Sequence, residues 1–300
     1  MELSPIVIFC YNRLDHLKKT INALSENILA IESELFIFSD SSKNDLEDTE
    51  KVREVRSYLN QIKGFKKIVV KESSSNEGLA KSVILGVSQM FEQYEKLIIM
   101  EDDLVCTKDY LMFMNQGLNK YQDNKMIGSI SGFTYPFQIP SNYPYEIFLA
   151  NRASSWGWGT WKDRWEQTDW EVKDYPSFIK SDVEKKSFIK GGADLLPMLI
   201  KQQRGIINSW AVRWSFQHYR SKSYCLQPIS SKINHIGNDG TGTNEHSLKG
   251  VLLSNRLIAM NDSIEPDETI IQNLYNSFKP SIIRRAINWW KFGINPLSLV

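Results

Sequence analysis

Between residues 5 and 101 the chain alternates strand-like apolar runs with amphipathic helical stretches, and this alternation constrains the fold more than any other feature. PIVIFCY at 5–11 is a nearly continuous apolar run, and at 13–24 Leu14, Leu17, Ile21 and Leu24 recur at helical spacing. The unit then repeats, with strand patterns at 34–39, 66–71 and 96–101 and helical patterns at 45–62 and 78–91. Strands without polar alternation are buried on both faces, and strands separated by helices pair in parallel through right-handed crossovers. The expected fold class is α/β, a Rossmann-like, mostly parallel sheet with flanking helices. Ligands of such sheets collect at the carboxyl ends of the strands. Three polar clusters fall at those ends: Tyr11-Asn12-Arg13, Asp40-Ser41-Ser42 and Glu101-Asp102-Asp103.

The acidic triplet closes the apolar run Lys96-Leu97-Ile98-Ile99-Met100. Like charges a few ångströms apart at the end of a buried strand repel unless a cation or a set of donors compensates. An oxygen-only ligand set suits Mg²⁺ or Mn²⁺, which such sites commonly share with substrate phosphates. A metal-free acidic turn ahead of a helix at Lys108-Asp109-Tyr110 is the other reading, because carboxylates also favour helix N-termini.

With 300 residues, 42% hydrophobic and 24% charged, the chain is long enough for one extended α/β domain with additions or for two small domains. A net charge of +1 gives no argument for a nucleic-acid partner. Cys10, Cys106 and Cys225 have no metal spacing and cannot all pair, which points to a reducing compartment. No signal-peptide pattern precedes the first strand, and no apolar segment reaches the roughly 20 residues that span a bilayer. The expected location is cytoplasmic.

Beyond residue 125 the periodicity weakens. A strand is expected at 126–131, and prolines and aromatics interrupt any pattern from 135 to 145. In Ser154-Ser155-Trp156-Gly157-Trp158-Gly159-Thr160-Trp161, glycines let the backbone approach a ligand, and the indoles of Trp156 and Trp158 offer flat walls of the kind sugar rings favour. A tryptophan lock between the sheet and added helices is the alternative. The loop IGNDGTGTNEH at 236–246 matches neither a P-loop nor a dinucleotide fingerprint, and His235 precedes it as either a metal or phosphate contact or a structural residue. After Glu268 no acid occurs. At 281–292 Ile282, Ile283, Ala286, Ile287 and Trp290 share a helical face opposite Arg284, Arg285, Asn288 and Lys291. Such a helix either lies in a membrane interface or packs on the body.

Taken in order, PIVIFCYNR, FSDSSKND, the EDDL at 101–104, SSWGWGTW and the stretch from Gln227 to Asn244 resemble the GT-A nucleotide-sugar glycosyltransferases. The resemblance covers residues 4–250 and is strongest to the N-acetylglucosaminyltransferase I type and to related bacterial surface-polysaccharide transferases. It implies a GT-A domain at 1–250, with a nucleotide-binding half (1–105) and an acceptor-side half (106–250), followed by a C-terminal helical extension at 251–300. It implies that Asp103 contacts Mn²⁺ (or Mg²⁺) bridging the donor diphosphate, with Glu101 and Asp102 assisting. Asp40 then accepts the uracil N3–H, Arg13 lies near the diphosphate, and Asn76 belongs to a nucleotide-contacting turn. Residues 236–246 become a lid made mobile by Gly237, Gly240 and Gly242. The implied reaction moves a hexose or N-acetylhexosamine from a UDP-sugar to a saccharide acceptor in bacterial surface-glycan synthesis, with inversion. A lipid-linked acceptor and a peripheral position on the inner face of the membrane would suit the C-terminal helix. The family's catalytic carboxylate corresponds to a place within 206–214, where this sequence has none. Asp239 and Asp163 are the substitutes available as general base. Two other classes stay open. A sugar-phosphate nucleotidyltransferase shares metal aspartates on an α/β sheet, although CYNRLDH lacks the glycines expected there, and a catalytically inactive glycan-binding protein would keep the tryptophan loop without a base.

Overall fold

The computed structural model describes residues 2–43, 45–239 and 251–292. Its strands are β1 (Ile6–Cys10), β2 (Glu34–Ser39), β3 (Lys67–Glu72), β4 (Lys96–Glu101), β5 (Leu104–Cys106), β6 (Ile127–Ser131), β7 (Ile147–Ala150), β8 (Trp158–Trp161), β9 (Tyr224–Pro228) and β10 (Ile233–His235). The helices are α1 (Leu14–Ser25), α2 (Leu46–Leu59), α3 (Leu79–Phe91), α4 (Tyr110–Lys120), α5 (Lys162–Glu166), α6 (Tyr175–Phe178), α7 (Asp182–Phe188), α8 (Leu195–Gln203), α9 (Trp210–Ser221), α10 (Glu268–Ser277) and α11 (Ile282–Phe292).

Eight strands form one sheet in the order β3-β2-β1-β4-β8-β6-β9-β7. β3, β2, β1 and β4 run parallel, β8 is inserted antiparallel between β4 and β6, β9 runs parallel to β6, and β7 closes the edge antiparallel to β9. This is the expected mostly parallel α/β sheet flanked by helices, with further helices at the C-terminus. Side chains alternate across it. Ile6, Ile8 and Cys10 pack with α1 residues Leu17, Ile21 and Leu24 and with α4, while Val7 and Phe9 pack on the opposite face with Ala80, Val83 and Val87 of α3. Burial on both faces is the reason β1 reads as an unbroken apolar run. The three cysteines are unpaired and buried.

The second face carries a tryptophan cluster. Trp158 of β8 lies 5.1 Å from Trp210 and 5.7 Å from Trp165, and Trp165 lies 5.3 Å from Trp214 and 4.5 Å from Trp170. Each such pair adds about 0.5–1.5 kcal/mol beyond its buried area, so the cluster fastens α5 and α9 to the sheet. The expectation that Trp158 walls a ligand pocket is corrected here. Its side chain points into this cluster and the residue is 1% exposed, so no ring face is left for a ligand.

A buried ammonium ties the C-terminal segment to the body. Lys232, fully inaccessible, donates to Asp109 Oδ2 (2.6 Å) and to the carbonyls of Ser254 and Arg256 (both 2.7 Å), which uses all three of its protons. Ile270 and Leu274 of α10 then pack on Phe148 and Ala150 of β7. α11 meets the body through Asn288, whose Oδ1 accepts a hydrogen bond from Lys201 Nζ (3.0 Å). Ile282, Ile283, Trp289 and Trp290 are all exposed. Compared with the expected apolar face, Trp289 is turned outward and Ile287 is half-buried. No helix among the described residues is long and apolar enough to cross a membrane.

His218 of α9 is held neutral in the core, its Nδ1 bonded to the Trp214 carbonyl (3.0 Å) and its Nε2 to Ser129 Oγ (2.8 Å). Burial pushes its pKa down to about 4, with the Trp214 carbonyl pulling weakly the other way. An unfolded histidine takes its proton near pH 6.5, so between about 6.5 and 4 the unfolded chain binds the extra proton and stability falls as pH falls. Denaturant unfolding of the wild type and of His218→Asn across this window should show a stability difference that shrinks by up to about 3 kcal/mol toward pH 4. A pH-independent difference would mean that the folded histidine titrates normally.

Candidate functional site

The carboxyl ends of β1 to β4 bring Tyr11, Asn12, Arg13, Asp40 and the acidic triplet to one edge of the sheet. Immediately after β4 the chain turns into β5, and Thr20 of α1 straps the turn. Its hydroxyl donates to the Asp102 carbonyl (2.8 Å) and accepts from the Leu104 amide (3.1 Å). Asp102 and Asp103 are therefore buried, at 3% and 4% exposure, with their side chains fixed beside β1. Arg13 answers them. Its Nη2 bonds Asp102 Oδ1 and lies 2.8 Å from Asp103 Oδ2.

One guanidinium does not balance three carboxylates. Burial, reinforced by the charges of Asp103 and Asp102, pushes Glu101 up to about 8, and burial, partly offset by Arg13, pushes Asp102 up to about 6. Burial also works against the charge on Asp103, but the contact with His235 and the charge of Arg13 outweigh it and hold its pKa below the usual carboxylate value. Asp103 therefore stays anionic. Its Oδ1 is buried without a hydrogen-bond partner.

β10 pairs antiparallel with β5, placing His235 opposite Leu104, and the Ile236 amide continues the ladder to the Asp103 carbonyl (2.9 Å). His235 Nε2 lies 3.4 Å from Asp103 Oδ2, and its ring stacks on Trp156 with centroids 4.2 Å apart. Trp156 thus stands at the site, while Trp158 two residues on is in the core. Gly237 crosses directly over Asp103. A Cβ there would overlap the carboxylate and stand 3.1 Å from Arg13 Nη1, so the close approach requires glycine. Asp239 follows, with Oδ2 3.2 Å from His16 Nε2, which also contacts the Ile236 carbonyl at 3.2 Å. The rest of the expected lid, including Gly240 and Gly242, lies outside the described residues.

Asp163 is not at this site. Trp161 pairs with Lys96 at the start of β4, so Asp163 sits at the opposite end of the sheet from Asp103. There it bonds Lys125 Nζ and Arg164 Nη1, each at 2.6 Å. β8 runs antiparallel to β4, and a residue just past its end is carried away from the triplet. This corrects the expectation that Asp163 serves as the base.

Asp40 and Asn76 organise the neighbouring edge. Asp40 Oδ1 accepts from the amides of Ser41 (2.9 Å) and Glu77 (3.0 Å), and Oδ2 from the amide of Gly78 (2.9 Å) with a longer contact to Ser82 Oγ (3.4 Å). Gly78 begins α3 at φ +72°, a conformation that favours glycine, and Asp40 supplies the cap that Gly78 cannot. Asn76 Nδ2 donates to the Ser41 carbonyl (2.6 Å). The Tyr11 hydroxyl bonds Asp48, which also accepts from Asn12 Nδ2 (2.6 Å) and the Lys43 amide (2.7 Å). Arg56 closes the row, bonding the Ser73 carbonyl (2.7 Å) and pairing with Glu72 (3.2 Å).

Several of these residues gave little signal in the sequence. Asp48 reads as an ordinary acid in the first turn of α2, and His16 as a polar residue on α1. Thr20 left one trace, a polar side chain within the buried stripe Leu17, Ile21, Leu24.

Among the described residues, no group of three or more His, Cys, Asp or Glu side chains forms a ready-made metal cage. A cation shared with substrate phosphates needs only one or two carboxylates from the protein. The unpartnered Oδ1 of Asp103, beside an excess of negative charge, fits that requirement.

No curated protein matches the chain. Among solved structures, S. aureus TarS aligns at 11% identity over 79% of this chain and 37% of its own length, with a TM-score of 0.46. TarS 1-349 aligns at 11% over 77% of this chain and 60% of its own, with a TM-score of 0.43. The mannosyltransferase PcManGT from Pyrobaculum calidifontis, in complex with GDP-Man and Mn²⁺, aligns at 13% over 45% and 37%, with a TM-score of 0.31. The chain thus spans less than two thirds of each of these structures. The sequence model of glycosyl transferase family 2 matches residues 6–179, more than half the chain and the whole edge that carries Arg13, Asp40 and the acidic triplet, and the chain belongs to that family.

Proposed function

We propose that this glycosyltransferase uses a UDP-sugar with a divalent cation and transfers a hexose or N-acetylhexosamine, with inversion, to a saccharide acceptor of a bacterial surface glycan. The observation that carries the reading is the buried, unpartnered Oδ1 of Asp103 at the end of β4, in a site where one arginine faces three carboxylates. Asp103 would hold Mn²⁺ or Mg²⁺, which when bound supplies charge neutralisation for the departing diphosphate. Arg13 would face the diphosphate, where a permanent cation with several donors fits. The row Tyr11, Asp40, Asn76 and Asp48 would shape the base pocket, and Trp156 with His235 would bound the sugar. In the transfer the acceptor hydroxyl oxygen bonds the anomeric carbon, the bond from that carbon to the diphosphate oxygen breaks, and the hydroxyl proton passes to a carboxylate. Asp239, next to the triplet through Gly237, is the candidate to receive it.

The same reading extends to where the enzyme works, in the cytoplasm and peripheral on the inner face of the membrane. Ile282, Ile283, Ala286, Trp289 and Trp290 make a continuous outward face on α11, with Ile282 83% and Trp290 81% exposed. The same segment carries Lys279, Arg284, Arg285 and Lys291, and no acid follows Glu268. An apolar helix face with basic residues on the rest of the helix suits an anionic bilayer surface, which would also present a lipid-linked acceptor.

Asp103→Ala should abolish Mn²⁺-dependent UDP binding and the slow release of UDP from a UDP-sugar while the protein stays folded. Pyrophosphate release from UTP by the wild type would favour a nucleotidyltransferase instead, and neither product would favour a binding protein. Asp40→Ala, titrated with UDP and with pyrophosphate, should lose about 1–3 kcal/mol for UDP, the scale of a hydrogen bond to a charged group, and much less for pyrophosphate. Equal losses would place Asp40 outside base recognition. The double change Trp289→Ser and Trp290→Ser should release the protein from anionic vesicles without slowing donor hydrolysis, and added salt should weaken wild-type binding because surface charge is screened within about 10 Å at 0.1 M. Vesicle binding unchanged in the double variant, or a shift from dimer to monomer on making it, would sink the membrane assignment.

A further inference from the structure

Arg13 occupies the carboxylates that a metal ion would need. Its Nη2 bonds Asp102 and lies 2.8 Å from Asp103 Oδ2, the arginine side chain is 18% exposed, and Gly237 packs over the pair. The carboxylate oxygen left over, Asp103 Oδ1, is buried and has no partner. The guanidinium therefore stands in as a resident cation, compensating part of the buried negative charge and leaving one oxygen ready. From this geometry we infer that Arg13 competes with the divalent cation for Asp102 and Asp103, and that the donor diphosphate relieves the competition by drawing the guanidinium to itself. The inference rests on the metal reading of the site and goes beyond it by assigning a binding order.

The physical argument is one of charge exchange. A divalent ion that approaches the triplet without a nucleotide meets carboxylates already neutralised in part by Arg13, and the like charge of the guanidinium repels it. A diphosphate offers Arg13 a second anion of matching fork geometry. Once the guanidinium turns toward it, both aspartates regain their full charge. Metal and nucleotide thus bind with positive coupling, each raising the affinity of the other by the same factor. The coupling has two sources, the ligands the phosphates add to the ion and the release of Arg13. Only the second depends on residue 13. Arg56 provides a comparison, because it lies along the same edge but bonds the Ser73 carbonyl and Glu72 rather than the triplet.

The test titrates Mn²⁺ alone, and Mn²⁺ in the presence of saturating UDP, into the wild type, Arg13→Gln, Arg13→Lys and Arg56→Gln, with free Mn²⁺ read by electron paramagnetic resonance. Arg13→Gln should bind Mn²⁺ alone about tenfold or more tightly than the wild type, and UDP should then tighten it by a smaller factor. Arg13→Lys keeps the charge and so protects the fold, but gives up the planar guanidinium fork, and should shift the same way by less. In the titration with Mn²⁺ alone, Arg56→Gln should stay within about twofold of the wild type. Without metal, Arg13→Gln should also melt below the wild type, and Mn²⁺ should raise its melting temperature by more, because the ion replaces the missing cation. The inference is overturned if neither Arg13 variant binds Mn²⁺ alone more tightly than the wild type, or if Arg56→Gln shifts affinity as far as Arg13→Gln, which would make the effect one of general charge. Mn²⁺ binding with UDP but unchanged by Arg13 variants would leave the metal reading standing and remove this one. Absence of Mn²⁺ binding by every variant, with UDP present, would remove both.

Discussion

Three carboxylates at the end of a buried strand repel one another, and much of the surrounding chain serves to keep two of them in place. Thr20 bridges the backbone on either side of Asp103, Arg13 reaches across from β1, and the short ribbon of β5 and β10 delivers His235 from more than a hundred residues away. Each of these contacts is long-range in sequence. The site therefore exists only once the sheet is assembled.

The parallel half of the fold was legible because burial on both faces writes itself into composition. β2 and β4 fall on the residues the apolar runs mark, and α1 and α3 follow their stripes to within a residue or two. In the second half β6 and α11 fall on the strand and helix expected at 126–131 and 281–292, but the other strands were not legible, for reasons of length. β5, β7, β8 and β10 have three or four residues each, too few for either period to emerge, and an antiparallel strand inserted between β4 and β6 leaves no trace in its own sequence. That insertion also decides the fate of Asp163, offered as a substitute for the carboxylate missing at 206–214 and carried by register to the far end of the sheet.

The tryptophan motif shows how chemistry read from residue type depends on direction. Trp156 and Trp158 are separated by one glycine, yet one stacks on His235 beside the triplet and the other joins Trp165, Trp210 and Trp214 beneath α9. The tryptophan lock weighed for the motif holds for Trp158, while Trp156 is turned to the side of the sheet end that carries Asp103. Asp40 carries a similar lesson. It stands at the carboxyl end of β2 as expected, but its oxygens already accept from the amides of Ser41, Glu77 and Gly78, so a ligand donor would share them with the turn that starts α3.

The buried Lys232 couples the candidate site to the C-terminal segment. Its ammonium grips the carbonyls of Ser254 and Arg256, and the Ser231 amide bonds the Leu252 carbonyl at 2.7 Å, so the chain leaving β9 and the chain returning toward α10 are joined at their bases. One ammonium therefore holds both the stretch that carries His235 to Asp103 and the stretch that leads to α10, so a change at Lys232 reaches the candidate site and the C-terminal helices together.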